Sequence, residues 1–288
     1  MSRIAYVNGE FVPIDEAKVS ILDRGFIFAD GVYEVTAVLG GGLVDNERHL
    51  ARLQRSLAEI ALACPVSMEA LTRLELDLVR RNALTEGGVY LQITRGAADR
   101  DFAFPAADVA PSLVLFTQAR QIVDSPDAKS GIAVKTVADI RWRRRDIKSV
   151  ALLAQVLAKQ QAAAAGCREA WMVEDGHVTE GASSSAFIIT KEGAIIARPL
   201  SNDILPGVTR KAVLALAAEE HLAIEERRFA LAEAFDAAEA FNSSASGFVM
   251  PVVRIDGKSI GDGAPGPLTK RLRELYIAHA RETATYSA

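Results

Sequence analysis

The sequence predicts an α+β protein with some α/β character, built as two domains. Three observations carry that expectation. At 288 residues the chain is longer than one compact core usually organises. Short alternating runs of strand type are interleaved with runs of helical period. A polar stretch at 119–131, "ARQIVDSPDAKSG", breaks the pattern once, with one Pro and one Gly. The expected division is a smaller N-terminal α/β domain at 1–120, a linker at 121–131 and a larger C-terminal domain at 132–288.

The first domain opens with "IAYVNGEFVPI", where Asn8-Gly9 between two apolar runs signals a hairpin. "GVYEVTAVLGGGLV" (31–44) reads as a second hairpin turned by its glycines. In "DNERHLARLQRSLAEIAL" Leu50, Leu53, Leu57, Ile60 and Ala61 recur at helical spacing, with Asp45 or Asn46 as the cap. "SMEALTRLELDLVRRNAL" (67–84) predicts another helix, capped by Ser67. "GVYLQITRGA" and "PSLVLFTQ" complete a sheet of mixed or antiparallel strands.

The second domain starts with the strand "IAVKTV", followed by a helix over 149–165 that stops at Gly166. "EAWMVEDG", "HVTEG" and "SAFIITKEGAIIARP" predict a meander, and "LPGVTRKAVLALAAEEH" a turn feeding a helix. "RRFALAEAFDAAEAFNSS" suggests a helix and a short strand entering a serine-rich loop. A strand with a hairpin ("GFVMPVVRIDGKSI") and a closing helix ("GPLTKRLRELYIAHARE") end the chain.

Composition removes several classes of function. A net charge of −4 argues against a general nucleic-acid binder. Two cysteines, Cys64 and Cys167, are too few for a disulfide scaffold and are expected as buried thiols in a reducing compartment. No apolar stretch is long enough to span a bilayer, and the N-terminus lacks a signal-type apolar segment, so a cytoplasmic location is expected. No strand leads into GxGxxG, no GxxxxGK[ST] or HExxH occurs, and four scattered histidines do not suggest a metal site. "EGASSSAF" lacks the GxSxG of a hydrolase elbow.

The stretch "RWRRRDIKSVALLAQVLAKQQAAAAG" (141–166) places Lys148 where a charged run meets an apolar helix. A lysine amine becomes a nucleophile when burial or nearby cations lower its pKa. Arg141, Arg143, Arg144 and Arg145 precede it, and Asp146 would oppose them. Composition alone favours a solvated basic cluster. A nucleic-acid contact surface, which would bind steeply less as salt rises, is disfavoured by the acidic chain and by a run whose one aromatic is Trp142. "LPGVTR" adds an anion site, since the first amides of a helix are free donors and Thr209 adds a hydroxyl.

Eight pieces stand together in order: "YVNGEFVP", "LDRGFIFADGVYEV", "HLARLQRS", "YLQITRGAADRDFAFP", "DIRWRRRDIKSV", "VTEGASSSAFI", "ILPGVTR" and "SSASGFVMPV". Through them, nearly the whole chain resembles the class IV, fold type IV, pyridoxal-phosphate aminotransferases, and most closely their D-amino-acid transaminases. The resemblance implies a two-domain fold with pyridoxal 5'-phosphate in the interdomain crevice. It places the coenzyme's Schiff-base lysine at Lys148, as tether and general acid–base, and the partner of the pyridine nitrogen at Glu180. Phosphate contacts fall on Arg52, Val208, Thr209, Ser244 and Ala245.

For the substrate, the resemblance implies a carboxylate trap containing Tyr33 and Arg100, whose planar fork suits a carboxylate. Phe102 stands where those transaminases have a histidine. Losing that charge-assisted bond costs about 1.5–3 kcal/mol of carboxylate binding. The expected reaction exchanges the amine of a D-amino acid, such as D-alanine or D-glutamate, with a 2-oxo acid such as pyruvate or 2-oxoglutarate. The alternatives are an (R)-amine transaminase, a branched-chain L-amino-acid transaminase and aminodeoxychorismate lyase. The resemblance also implies a homodimer whose sites are completed by the partner's loops. Its partners are small molecules, with no nucleic acid, membrane or metal.

Overall fold

The computed structural model describes residues 2–286. The chain divides into two compact units: Met1–Gln121, Ile147–Ala151 and Ala280–Ala288 form the first, and Ile122–Asp146 and Leu152–His279 the second. Two features depart from the expected division. The stretch taken as a linker contains a short helix, and the five residues around Lys148 group with the first unit.

The first unit is built from β1 (Ile4–Val7), β2 (Glu10–Pro13), α1 (Arg24–Phe28), β3 (Gly31–Leu39), β4 (Gly42–Leu43), α2 (Asn46–Glu59), α3 (Met68–Arg81), β5 (Glu86–Thr94) and β6 (Ser112–Ala119). Its sheet runs β2-β1-β6-β5-β3-β4, and every pairing is antiparallel. Asn8 and Gly9 turn the first hairpin with φ of 48° and 110°, the left-handed geometry a two-residue hairpin turn needs. Leu50, Leu53 and Leu57 of α2 and Leu71, Leu78 and Val79 of α3 pack on Val89, Leu91, Ile93, Leu113 and Leu115 of the sheet. The short helix α1 escapes helical-period reading because five residues make barely one turn.

Ser67 caps α3 as expected, accepting from Ala70 N–H at 3.2 Å. The cap expected for α2 is absent, since neither candidate side chain bonds the helix start. Asp45 binds Arg48 at 3.1 Å, and the Asn46 amide donates to buried Glu75 at 2.6 Å. Burial pushes the Glu75 carboxyl up to about 7, against the Asn46 bond that lowers it. Its folded value therefore lies above its ordinary 4.5, so this group's stabilisation is complete at low pH and is lost as pH rises through 7. Glu75→Gln should gain on the wild type between pH 5 and 8, by on the order of 3 kcal/mol in urea unfolding. An unchanged difference across that range would refute this account of Glu75.

The second unit contains α4 (Pro126–Ser130), β7 (Ile132–Ala138), α5 (Leu153–Ala164), β8 (Glu169–Glu174), β9 (His177–Gly181), β10 (Ser185–Ile189), β11 (Ile195–Ala197), α6 (Val208–Glu219), β12 (Ile224–Glu226), α7 (Leu231–Asp236), β13 (Glu239–Ser244), β14 (Phe248–Ile255) and β15 (Lys258–Ser259). The helix α8 (Pro267–Thr283) follows, its last turn belonging to the first unit. The sheet order is β12-β11-β10-β13-β14-β7-β8-β9, with β15 on β14. Parallel pairs β11–β12, β14–β7 and β7–β8 make it mixed.

The expected meander is instead two hairpins, β8–β9 and β10–β11, separated in the sheet order. Only residues 182–184 join β9 to β10, so the sheet curls until the end of β9 meets the start of β10. Trp171, Phe187, Phe229 and Phe241 fill the core, and the Trp171 indole donates to Asn242 Oδ1 at 2.7 Å. The helix expected from 149 starts at Leu153, because the preceding residues pair with β3 instead. Cys64 and Cys167 are half-buried, not fully buried. Among the described residues no helix is long and apolar enough to cross a membrane, and no group of three metal-ligating side chains occurs.

Candidate active site

In the first unit β3 pairs with β5 along its whole length, which leaves its N-terminal half one open edge. Residues 148–150 fill that edge. Tyr33 N–H donates to Lys148 O at 3.0 Å, Val150 N–H donates to Gly31 O at 3.1 Å, and Ser149 lies opposite Val32. Lys148 N–H donates to Ser56 Oγ on α2 at 3.3 Å. The lysine's main chain is thus held between a strand and a helix. Its half-buried side chain places Nζ 4.2 Å from the centroid of the Tyr33 ring. Among the described residues this ammonium has no carboxylate partner. Tyr33 stacks on Tyr90 at 5.5 Å, and Tyr90 on Phe116 at 4.7 Å. This row of rings fixes one wall beside the amine.

The next residue along β3 faces the helices. Glu34 is 1 % exposed and accepts from Arg52 Nε at 2.7 Å and Nη2 at 2.8 Å, with His49 Nδ1 at 2.8 Å. Burial pushes the Glu34 carboxyl up, but Arg52 and then His49 outweigh it and hold the group well below the usual range. Arg52 is therefore oriented by Glu34. Sequence reading passed over Glu34. The available signal was an acid at the helix-facing position of an otherwise apolar strand.

Arg100 and Phe102 lie on an exposed loop after β5. The Arg100 guanidinium sits 5.3 Å from the Phe28 ring and 5.4 Å from the Phe102 ring, and the two rings are 5.3 Å apart. Phe102 meets Phe28 with the rings tilted by 45°, and it offers no donor.

In the second unit, three of the four arginines that precede Lys148 are matched by acids. Arg141 takes Asp139 with Nε at 2.9 Å and Nη2 at 2.6 Å, and its Nη1 donates to Glu180. Arg144 binds Asp146 at 3.0 Å, and Arg145 binds Glu174 at 2.8 and 2.9 Å. Their charge is internally neutralised, so this is not a solvated basic face. Asp146 is occupied by the same arrangement.

Glu180, at the end of β9, is 5 % exposed. Burial raises its carboxyl, while the Arg141 guanidinium and the Leu205 N–H, at 3.2 Å from Oε2, act to lower it. Arg141 occupies Oε1, so Oε2 retains lone pairs for a cationic N–H. Asp139 completes the chain Glu180–Arg141–Asp139, with the Thr179 hydroxyl donating to it at 2.6 Å. Asp139 also escaped sequence reading, because a lone Asp after a strand resembles any loop acid.

Close to Glu180, the first turn of α6 offers free amides. Gly207 is its N-cap and has no side chain to satisfy them. A Cβ on Gly207 would lie 2.8 Å from Ser185 Oγ, and Ser185 faces Ser243 across β10–β13. Thr209 Oγ1 and Ser243 Oγ are buried without any partner. Buried hydroxyls are normally bonded, so these two orphans fit a bound group rich in acceptors, such as a phosphate. Val208 is buried, and Ser244 and Ala245 are half-buried at the turn after β13. The structure therefore gathers Lys148 with Tyr33 in the first unit, and Glu180 with the 207–209 turn and the β13 serines in the second.

A family model described as amino-transferase class IV matches residues 31–255. D-alanine aminotransferase of Staphylococcus haemolyticus is 41 % identical over 273 residues, covering 94 % of this chain and 95 % of that protein. The D-alanine aminotransferase of Bacillus licheniformis is 40 % identical over 92 % of this chain and 93 % of its own length. Among solved structures, a T.th. branched-chain amino acid aminotransferase with pyridoxamine 5'-phosphate has a TM-score of 0.91 at 25 % identity, covering 99 % of both chains. The Escherichia coli branched-chain enzyme has a TM-score of 0.87 at 23 % identity, over 96 % of this chain and 94 % of that one, a likeness of fold alone.

Proposed function

The chain belongs to the class IV aminotransferases, and on that footing we propose that it moves the amino group of a D-amino acid to a 2-oxo acid. The fold type works with pyridoxal 5'-phosphate, and the orphaned Thr209 and Ser243 hydroxyls fit its phosphate. The observation that carries the reading is the Lys148 amine, held beside Tyr33 with no acid among the described residues to occupy it.

In this reading Lys148 would hold the coenzyme through its aldehyde carbon, and Glu180 would hold the ring nitrogen. Arg52, Val208, Thr209, Ser244 and Ala245 would hold the phosphate. When bound, the coenzyme supplies an electron sink for the bond broken at the substrate Cα. Lys148 Nζ removes the Cα proton as general base and returns it in the reverse half-reaction. Arg141 would favour the ionised form of Glu180 against the effect of its burial, and that form would keep a proton on the ring nitrogen. Glu34 holds the Arg52 guanidinium by two bonds, so that residue binds without reorganising. Tyr33 and Arg100 would take the substrate carboxylate.

A second copy of the chain completes the proposal. Ile21 and Phe26 are 78 % and 75 % exposed in the first unit, and Leu153, Val156 and Leu157 form an open stripe on α5 in the second. Apolar patches of this kind favour association over solvent.

The test is the absorbance of the purified holoenzyme with D-alanine, L-alanine and L-leucine. Loss of the coenzyme's visible band with D-alanine alone is expected. Loss with L-leucine alone would transfer the chain to branched-chain chemistry. No change with any amino acid would favour an (R)-amine or aminodeoxychorismate, for which the missing donor at Phe102 is the specific motive.

A further inference from the structure

Residues 98–104, which carry Arg100 and Phe102, form neither helix nor strand and are mostly exposed. Two buried guanidiniums nevertheless hold this segment. Arg24, 3 % exposed, donates Nη1 to Asp101 O at 2.6 Å and to Ala103 O at 3.2 Å, the carbonyls on either side of Phe102. Its Nε is fixed by Asp30 Oδ2 at 2.8 Å. Arg95 reaches the same Asp30 with Nε at 2.8 Å and Nη2 at 3.0 Å. It also donates to Ile60 O at 2.7 Å and Ala61 O at 3.0 Å, and its guanidinium covers the Phe104 ring at 3.6 Å.

The motif "LDRGFIFADG" (22–31) is built for this. Asp23 caps α1 through Gly25 N–H at 2.8 Å and receives the Thr94 and Ser112 hydroxyls at 3.0 and 2.6 Å. A Cβ on Gly25 would come within 2.2 Å of Thr94 Cγ2, so only glycine lets α1 approach β5 this closely. Arg24 is thereby seated with its guanidinium 4.8 Å from the Phe28 ring, the ring that also meets Phe102 and Arg100.

Water could satisfy the carbonyls of an exposed loop, so folding does not require a buried cation on two of them. What Arg24 adds is a single path for the backbone around Phe102. We propose that Arg24, joined to Arg95 through Asp30, is a positioning residue for substrate binding. It sets the course of 98–104 and, through Phe28 and Phe102, the place of the Arg100 guanidinium. This inference rests on the reading that Arg100 takes the substrate carboxylate.

The test uses Arg24→Met and Arg24→Lys in the holoenzyme, with two readouts. Chymotrypsin cleavage after Phe102 should accelerate about tenfold in Arg24→Met, as expected for a loop whose local opening has become easier. The KM for D-alanine should rise about tenfold with kcat within about twofold, the size of one or two lost hydrogen bonds. Arg24→Lys retains the Asp30 ion pair and should show both effects at about threefold, which keeps the test open if Arg24→Met fails to fold. Unchanged cleavage in a folded variant, or a fall in kcat with KM unmoved, overturns the proposal. If the wild type does not turn over D-alanine, the functional reading fails instead, and the cleavage arm alone decides whether Arg24 holds the loop.

Discussion

Lys148→Ala should lower kcat with D-alanine and pyruvate by at least about 10⁴-fold, the upper end for a single general acid–base. The loss is this large because one amine serves as covalent tether and proton carrier. The fold should not suffer. Lys148 is anchored through its carbonyl to Tyr33 N–H and through its amide to Ser56, and alanine keeps both groups. The unfolding midpoint should therefore stay within about 2 °C, as for most substitutions that spare buried contacts. Turnover by Lys148→Ala at the original rate would end the proposed mechanism.

Arg141→Met should be nearly as damaging, for a different reason. Arg141 is the cation shared by two buried acids, Asp139 and Glu180. Removing one partner of a buried ion pair typically costs about 3–5 kcal/mol. Burial is the largest influence on the Glu180 carboxyl and pushes it up, so without Arg141 it rises further toward the protonated form. A protonated Glu180 does not hold a positive ring nitrogen, and kcat should fall roughly 10²–10³-fold, as when a charge-stabilising contact is lost. The sign of the pH response follows: activity of Arg141→Met should recover as pH rises and Glu180 ionises. Flat activity from pH 6 to 9 in folded Arg141→Met would show that Glu180 does not depend on this arginine.

The parts legible in the sequence are those whose cause is local. Asn8-Gly9 makes a tight hairpin turn because both residues tolerate positive φ. Ser67 caps α3 from three residues away, and Gly166 ends α5 with φ of 71°. The turn feeding α6 at 207–209 was legible for the same reason, since the free amides of a helix start need no distant partner. The failures share a cause as well. Asn46 does not cap α2 because its Oδ1, the atom a cap would use, accepts from the Thr72 hydroxyl, while its amide N–H donates to Glu75. The helix after Lys148 starts late because its first residues add to the edge of β3, more than a hundred residues earlier.

The chemistry divides along the same line. Residue types, helix periods and eight motifs in order were enough for the family and the α+β design, and for singling out Lys148, because each is written in neighbouring residues. Which acid steadies which guanidinium could be settled only by packing: Glu34 with Arg52, Asp139 with Arg141, Asp30 with both Arg24 and Arg95. Asp30 and Arg95 stand 65 residues apart and Glu34 and Arg52 18 apart, whereas Asp139 and Arg141 are two apart. A buried charge accepts whichever partner the fold brings within hydrogen-bond reach, and chain order carries no record of that choice.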